Sequence, residues 1–143
     1  MANPLNSTAY RGNDGRLWVD VTEAKTLVAA DSGYVQNVKY ASGVVTLPAT
    51  AVPGVWHIRN GGTAITSGGP SGAVEDGNGI SVDPNSSDTI IGFDVADGTS
   101  ADGKALVNTA ATARIGDEVT ILSNAATNGP YLIAMKGTWL RES

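Results

Sequence analysis

Few side chains in this chain have the chemistry for turnover. His57 is the single histidine. A histidine-based metal site needs more than one imidazole, and a Ser/His/Asp relay would rest on His57 alone. No Gly-x-Ser-x-Gly elbow accompanies it. His57 therefore reads as a strand residue at a sheet surface or as a contact between subunits. Gly68-Gly69-Pro70-Ser71-Gly72 is glycine-rich, yet no Gly-Lys-Ser/Thr follows it, and a phosphate cradle needs a helix N-terminus behind it. The segment reads as a loop. Asp94, Asp97 and Asp102 gather three carboxylates on one loop, the hard oxygen ligands that calcium favours. The EF-hand spacing fails there: Asp97 stands at the fourth position, and no Glu stands at the twelfth. Asp-Gly pairs are also ordinary turn chemistry. Asp117 and Glu118 are adjacent, so on a strand they point to opposite faces and do not form the facing carboxylate pair of a glycosidase. No catalytic, cofactor-binding or metal-ligating set is expected.

The aromatic residues offer a different chemistry. Trp18, Trp56 and Trp139, with Tyr10, Tyr34, Tyr40 and Tyr131, have the makings of a sugar-stacking face. Cores and oligomer interfaces use the same residue types, and that is the preferred reading.

The elements that must position these groups are short β-strands. The centre is the stretch 26–58, with β-type runs at 34–40, 44–47 and 55–58 separated by Ser42-Gly43 and by the turn from Pro48 to Gly54. In the first run Tyr34, Gln36, Val38 and Tyr40 share one face, expected to be the core face, and Val35, Asn37 and Lys39 share the other. In the third, Trp56 and Ile58 oppose Val55 and His57. Residues 16–21 make a first strand, and Asp31-Ser32-Gly33 makes a turn. Later strands are expected at 80–83, at 89–95 with Ile90 buried, at 104–109, and in a hairpin of 117–122 with 131–136, where Val119 and Ile121 face inward. Residues 61–79 exceed an ordinary connection and read as a functional loop or as one hiding a strand at 63–66. Residues 1–15 read as an irregular N-terminal arm, and 16–143 as one domain. Eight to ten short strands at this spacing predict an all-β, antiparallel β-sandwich of jelly-roll-like form. Without βαβ alternation, a parallel sheet is not expected.

Composition agrees. A chain of 143 residues suits one domain with a real core. It has no cysteine, so no disulfide or thiolate site is available. Nine basic against 14 acidic residues give a net charge of −5, which argues against a nucleic-acid partner. Charged residues make up 16% of the chain, below the usual quarter or so, which suits a surface that spends its life against other protein. No apolar run reaches membrane-spanning length, and the first residues lack the cationic and apolar regions of a secretory leader. The expectation is a protein made in the cytoplasm.

Three phrases carry a resemblance to a known family. They are Thr26-Leu27-Val28-Ala29-Ala30-Asp31-Ser32-Gly33, then Val44-Val45-Thr46-Leu47-Pro48, then Ile115-Gly116-Asp117-Glu118-Val119-Thr120-Ile121-Leu122-Ser123 with Asn128-Gly129-Pro130-Tyr131. They resemble small β-structured cement, or decoration, proteins of tailed-bacteriophage capsids. Pro130-Tyr131 departs from the tryptophan-tyrosine more usual there. The resemblance spans about residues 26–140 and implies a structural role: a homo-oligomer of two or three copies on the outer capsid surface of the virion, bound where major capsid subunits meet. No cofactor, nucleic acid or membrane is implied. Under that reading the capsid or oligomer contacts are Arg11, Arg16, Trp18, Trp56, His57 and Trp139, with the arm and the loop 61–79 gripping the shell. The alternative is a carbohydrate-binding β-sandwich module of a fibre or adhesin.

Overall fold

The computed structural model describes residues 9–62, 79–86, 88–92, 103–124 and 129–142. Among these described residues eleven strands form two packed sheets. In chain order they are β1 Tyr10–Arg11, β2 Leu17–Val21, β3 Lys25–Thr26, β4 Val35–Val38, β5 Gly43–Thr46, β6 Gly54–Asn60, β7 Ile80–Asp83, β8 Leu106–Asn108, β9 Glu118–Ser123, β10 Tyr131–Lys136 and β11 Leu140–Arg141. One sheet has the order β1-β2-β4-β6-β9-β10 and the other β11-β8-β7-β5-β3. The all-β sandwich expected from the strand spacing is present.

The pairing differs from expectation. β2, β4 and β6 are parallel neighbours in the first sheet, and β3, β5 and β7 are parallel neighbours in the second. The sheets are therefore mixed, and a wholly antiparallel arrangement is corrected. Parallel neighbours need a crossover, usually a helix. Here the crossover is a strand of the opposite sheet. From β2 to β7 the chain alternates layers, so each strand lies beside the one two places earlier. Absence of helical segments removes only one kind of crossover. This winding also differs from the paired Greek keys of a jelly roll. From β7 onward the strands pair antiparallel, β8 on β7, β9 on β6, β10 on β9 and β11 on β8, and a single parallel bridge joins Ile91 to Tyr131.

Between the layers lie Val38, Val45, Leu47, Trp56, Ile58, Ile80, Val82, Ile90, Leu106, Val119 and Ile121, all essentially inaccessible. The alternation read for β6, the burial of Ile90 and the inward facing of Val119 and Ile121 on β9 hold, whereas β10 buries only Leu132. β4 does not keep one exposed face: Val35, Gln36, Asn37 and Val38 are all buried. Its neighbours cover both sides, with Val35 aligned between Trp18 and His57 on the outer face. Asp31-Ser32-Gly33 makes the expected turn. Gly33 takes φ +85° there, and the Asp31 carboxylate accepts the Val28 N–H at 2.9 Å.

A buried polar group bolts the two layers together. The Asn60 side chain on β6 donates to Asn108 Oδ1 on β8 at 2.6 Å. Asn108 Nδ2 donates in turn to Asp117 Oδ2 and to the Thr138 carbonyl, each at 2.9 Å. Asp117 also accepts the Arg114 N–H. Gly137 lies against this carboxylate at φ +91°, where an added Cβ would stand 2.1 Å from Asp117 Cγ. Only glycine fits on both counts.

Of the segment 1–15, residues 1–8 lie outside the described residues. The rest pairs with β2 through β1. Most of the loop 61–79, with its 63–66 strand, also lies outside them, as do residues 93–102 with all three loop aspartates.

Candidate interaction surface

The outer face of the six-stranded sheet collects the charged and aromatic side chains. Strand register arranges them in two rows. Trp18, Val35, His57, Thr120 and Ala134 align across β2, β4, β6, β9 and β10. The next row is Asp20, Asn37, Arg59, Glu118 and Lys136. Opposite charges placed directly across strands are the sheet's counterpart of helical i,i+4 pairs.

Arg16, in the connection from β1 just before β2, reaches over β4 and β6 to Glu118 on β9. The contact is two-pronged, Nη1 to Oε2 at 2.8 Å and Nη2 to Oε1 at 2.9 Å. Its Nε donates to Asp14 Oδ2 at 2.7 Å. These hydrogen bonds, Glu118's first, keep the guanidinium charged and raise its pKa further. Burial pushes the Asp14 carboxyl up, but the Arg16 backbone and side chain outweigh it and hold it below the usual carboxylate range. Trp18 Nε1 donates to the same carboxylate at 3.0 Å.

Arg59 stacks on Trp18, its guanidinium carbon 4.6 Å from the ring centroid, while Nη1 donates to Asn37 Oδ1 at 2.7 Å. Asn37 donates to Asp20 at 3.0 Å, and the Tyr10 hydroxyl donates to Asp20 at 2.6 Å. Burial raises Asp20, yet Tyr10 and Asn37 prevail and leave its pKa lowered. Burial and the hydrogen bond to Asp20 push the Tyr10 phenol up.

His57 Nδ1 lies 3.0 Å from Thr120 Oγ1 and 4.0 Å from Glu118 Oε2. Burial holds its pKa below 6.5; Glu118 opposes that and Arg16 adds to it. Both contacts fall on one ring nitrogen. A relay needs a hydroxyl at one nitrogen and a carboxylate holding the other, so His57 does not build that geometry.

The six contact candidates thus divide. Arg16, Trp18 and His57 come together on this face. Arg11, on edge strand β1, bonds back to the Gly15 carbonyl of its own hairpin. Trp56 and Trp139 are core residues at 1% and 2% exposure, donating to Ser123 Oγ and to the Lys136 carbonyl. A platform of three tryptophans is therefore not formed. Trp18, the remaining one, is engaged by Arg59 and by Gly12, where a Cβ would meet the indole at 2.4 Å.

Sequence reasoning missed Arg59, Glu118 and Lys136 as members of this face. Arg59 lies two residues from His57 and so shares its side of β6, which is a readable signal. Glu118 and Lys136 join it only through register. With Asn13, Asp14 and Trp18 these residues line a shallow cavity of about 370 Å³. Among the described residues, no three acidic or histidine side chains converge as a metal site, and no helix is long and apolar enough to cross a membrane.

No protein-family model matches the chain, and none of the curated proteins matches its sequence.

Proposed function

We propose that this chain is a structural decoration protein. It binds the outer surface of a phage head between major capsid subunits, as a homo-oligomer of two or three copies, and stabilises the shell. The observation that carries the reading is the outer face of the six-stranded sheet. Its charged and aromatic side chains are held in place by one another, Arg16 by Glu118 and Asp14, Arg59 by Trp18 and Asn37, on a broad and shallow surface. Side chains ordered before contact lose little entropy on binding, which favours a lasting grip on a large partner. Many copies on one lattice then multiply modest affinities. The three phrases resembling cement proteins point the same way, and two of them supply the turn into β4 and strand β9. A glycan-binding module needs bare aromatic faces, and the burial of Trp56 and Trp139 disfavours it.

The test uses empty, undecorated heads of the particle whose genome encodes the chain. The protein is expected to co-sediment with them and to raise their melting temperature. Heads that neither bind it nor change in stability would sink the proposal.

A further inference from the structure

Glu118 stands between Arg59 and Lys136 in the outer row, directly paired with each across the strands. Its carboxylate neutralises neither. Both oxygens are taken by Arg16. Arg59 spends its contacts on Asn37 and the Trp18 ring, and Lys136 Nζ has no ion pair among the described residues. The cavity they border holds three cations, Arg16, Arg59 and Lys136, against two carboxylates, Asp14 and Glu118, both committed to Arg16.

The two unmatched cations converge. Gly116, at φ +99°, lies beneath them, and a Cβ there would stand 3.5 Å from Lys136 Nζ and 3.8 Å from Arg59 Nη2. The bare glycine leaves room where both nitrogens point. A bulge in β10 between Leu132 and Ala134 makes this possible. Without the extra residue, strand alternation would set Met135 beside Glu118; with it, Lys136 takes that place. Beside the site, Ile133 and Met135 are 48% and 40% exposed on β10, the longer of this sheet's two edge strands, past the point where Ile91 pairs with Tyr131 and Leu132.

We infer that Arg59 and Lys136, over Gly116, form a binding site for one acidic side chain of a partner protein, presented on an extended segment whose apolar neighbours cover Ile133 and Met135. Charge decides the occupant: a carboxylate bridges the two donors, whereas a second copy of β10 would bring another lysine to the same edge. The inference rests on the decoration reading and names the chemistry by which the shell is held.

Two measurements test it. In the first, empty heads are titrated with the wild-type protein, K136E and K136R. Lys136 is exposed, so these variants keep the fold. K136E is expected to bind at least ten-fold more weakly and K136R within two-fold of wild type. In the second, ¹⁵N-labelled protein is titrated with the peptide acetyl-Thr-Val-Glu-Val-Thr-amide and with its glutamine counterpart. The glutamate peptide should shift the amides of Gly116 and Lys136, the glutamine peptide should not, and K136E should respond to neither. Wild-type binding to heads that K136E matches would overturn the inference and spare the decoration reading. Heads that ignore the wild type, with glutamate-specific peptide shifts intact, would overturn that reading and leave the carboxylate site standing. Equal shifts with both peptides, none with either, or shifts that follow protein concentration alone would each overturn the site.

Discussion

His57 shows how one residue's surroundings become a measurable property of the protein. Its imidazole is partly buried between Thr120, Glu118 and Arg16, and its folded pKa lies below 6.5. In the unfolded chain the ring titrates near 6.5. As pH falls through that value, the unfolded chain takes up a proton before the folded protein does. Stability is therefore full above pH 6.5 and declines towards the lower folded pKa, with a slope of at most about 1.4 kcal/mol per pH unit for one group. His57 is the only histidine, so the slope between pH 6 and 7, above the range of the lowered carboxylates Asp14 and Asp20, is assigned to it. Urea denaturation across that range should show it, and H57Q should flatten it. An unchanged slope in H57Q would refute the assignment.

At the scale of elements, the bolt between β6 and β8 carries a sharper expectation. Truncating Asn108 removes three buried hydrogen bonds, those with the Asn60 amide, the Asp117 carboxylate and the Thr138 carbonyl, at about 0.5–1.5 kcal/mol each. N108A is therefore expected to lose roughly 2–4 kcal/mol in urea denaturation. G137A should lose a comparable amount, since the new methyl collides with Asp117 at a backbone angle alanine resists. A loss under about 0.5 kcal/mol in both, the scale of an ordinary surface change, would mean that the network is dispensable. These residues also mark what could be read beforehand. Alternation on β6 and β9 placed Trp56, Ile58, Val119 and Ile121 correctly, because one buried face imposes a period of two. Around β4 the rule named the core face correctly, with Tyr34, Gln36 and Val38 buried and Tyr40 packed against the core, and missed that Val35 and Asn37 on the outer face are buried as well. It was silent about Asn60, Asn108 and Asp117, because polar residues look alike in sequence whether they face water or each other. On the candidate surface, Arg16, Trp18 and His57 were found by residue type. Arg59, Glu118 and Lys136 depended on register, and for Lys136 on a bulge that local sequence does not announce.

For the whole molecule, the two layers share a single core and the Asn60–Asn108–Asp117 bolt, so neither sheet has a reason to outlive the other. Loss of tryptophan burial at Trp56 and Trp139 and loss of strand signal in circular dichroism should coincide at one urea midpoint. Separate midpoints would show that the layers come apart in stages.

The winding from β2 to β7 has a bearing on how the protein is made. In each layer a new strand settles beside one completed two strands earlier, so the growing polypeptide can coil forward as it leaves the ribosome. The exceptions come last. β9 must find β6 after more than fifty intervening residues have been translated, and only then does the six-stranded layer gain its final pair. A nascent chain stalled before Glu118 would hold a partly wound coil with the flank of β6 uncovered, the form most in need of a chaperone.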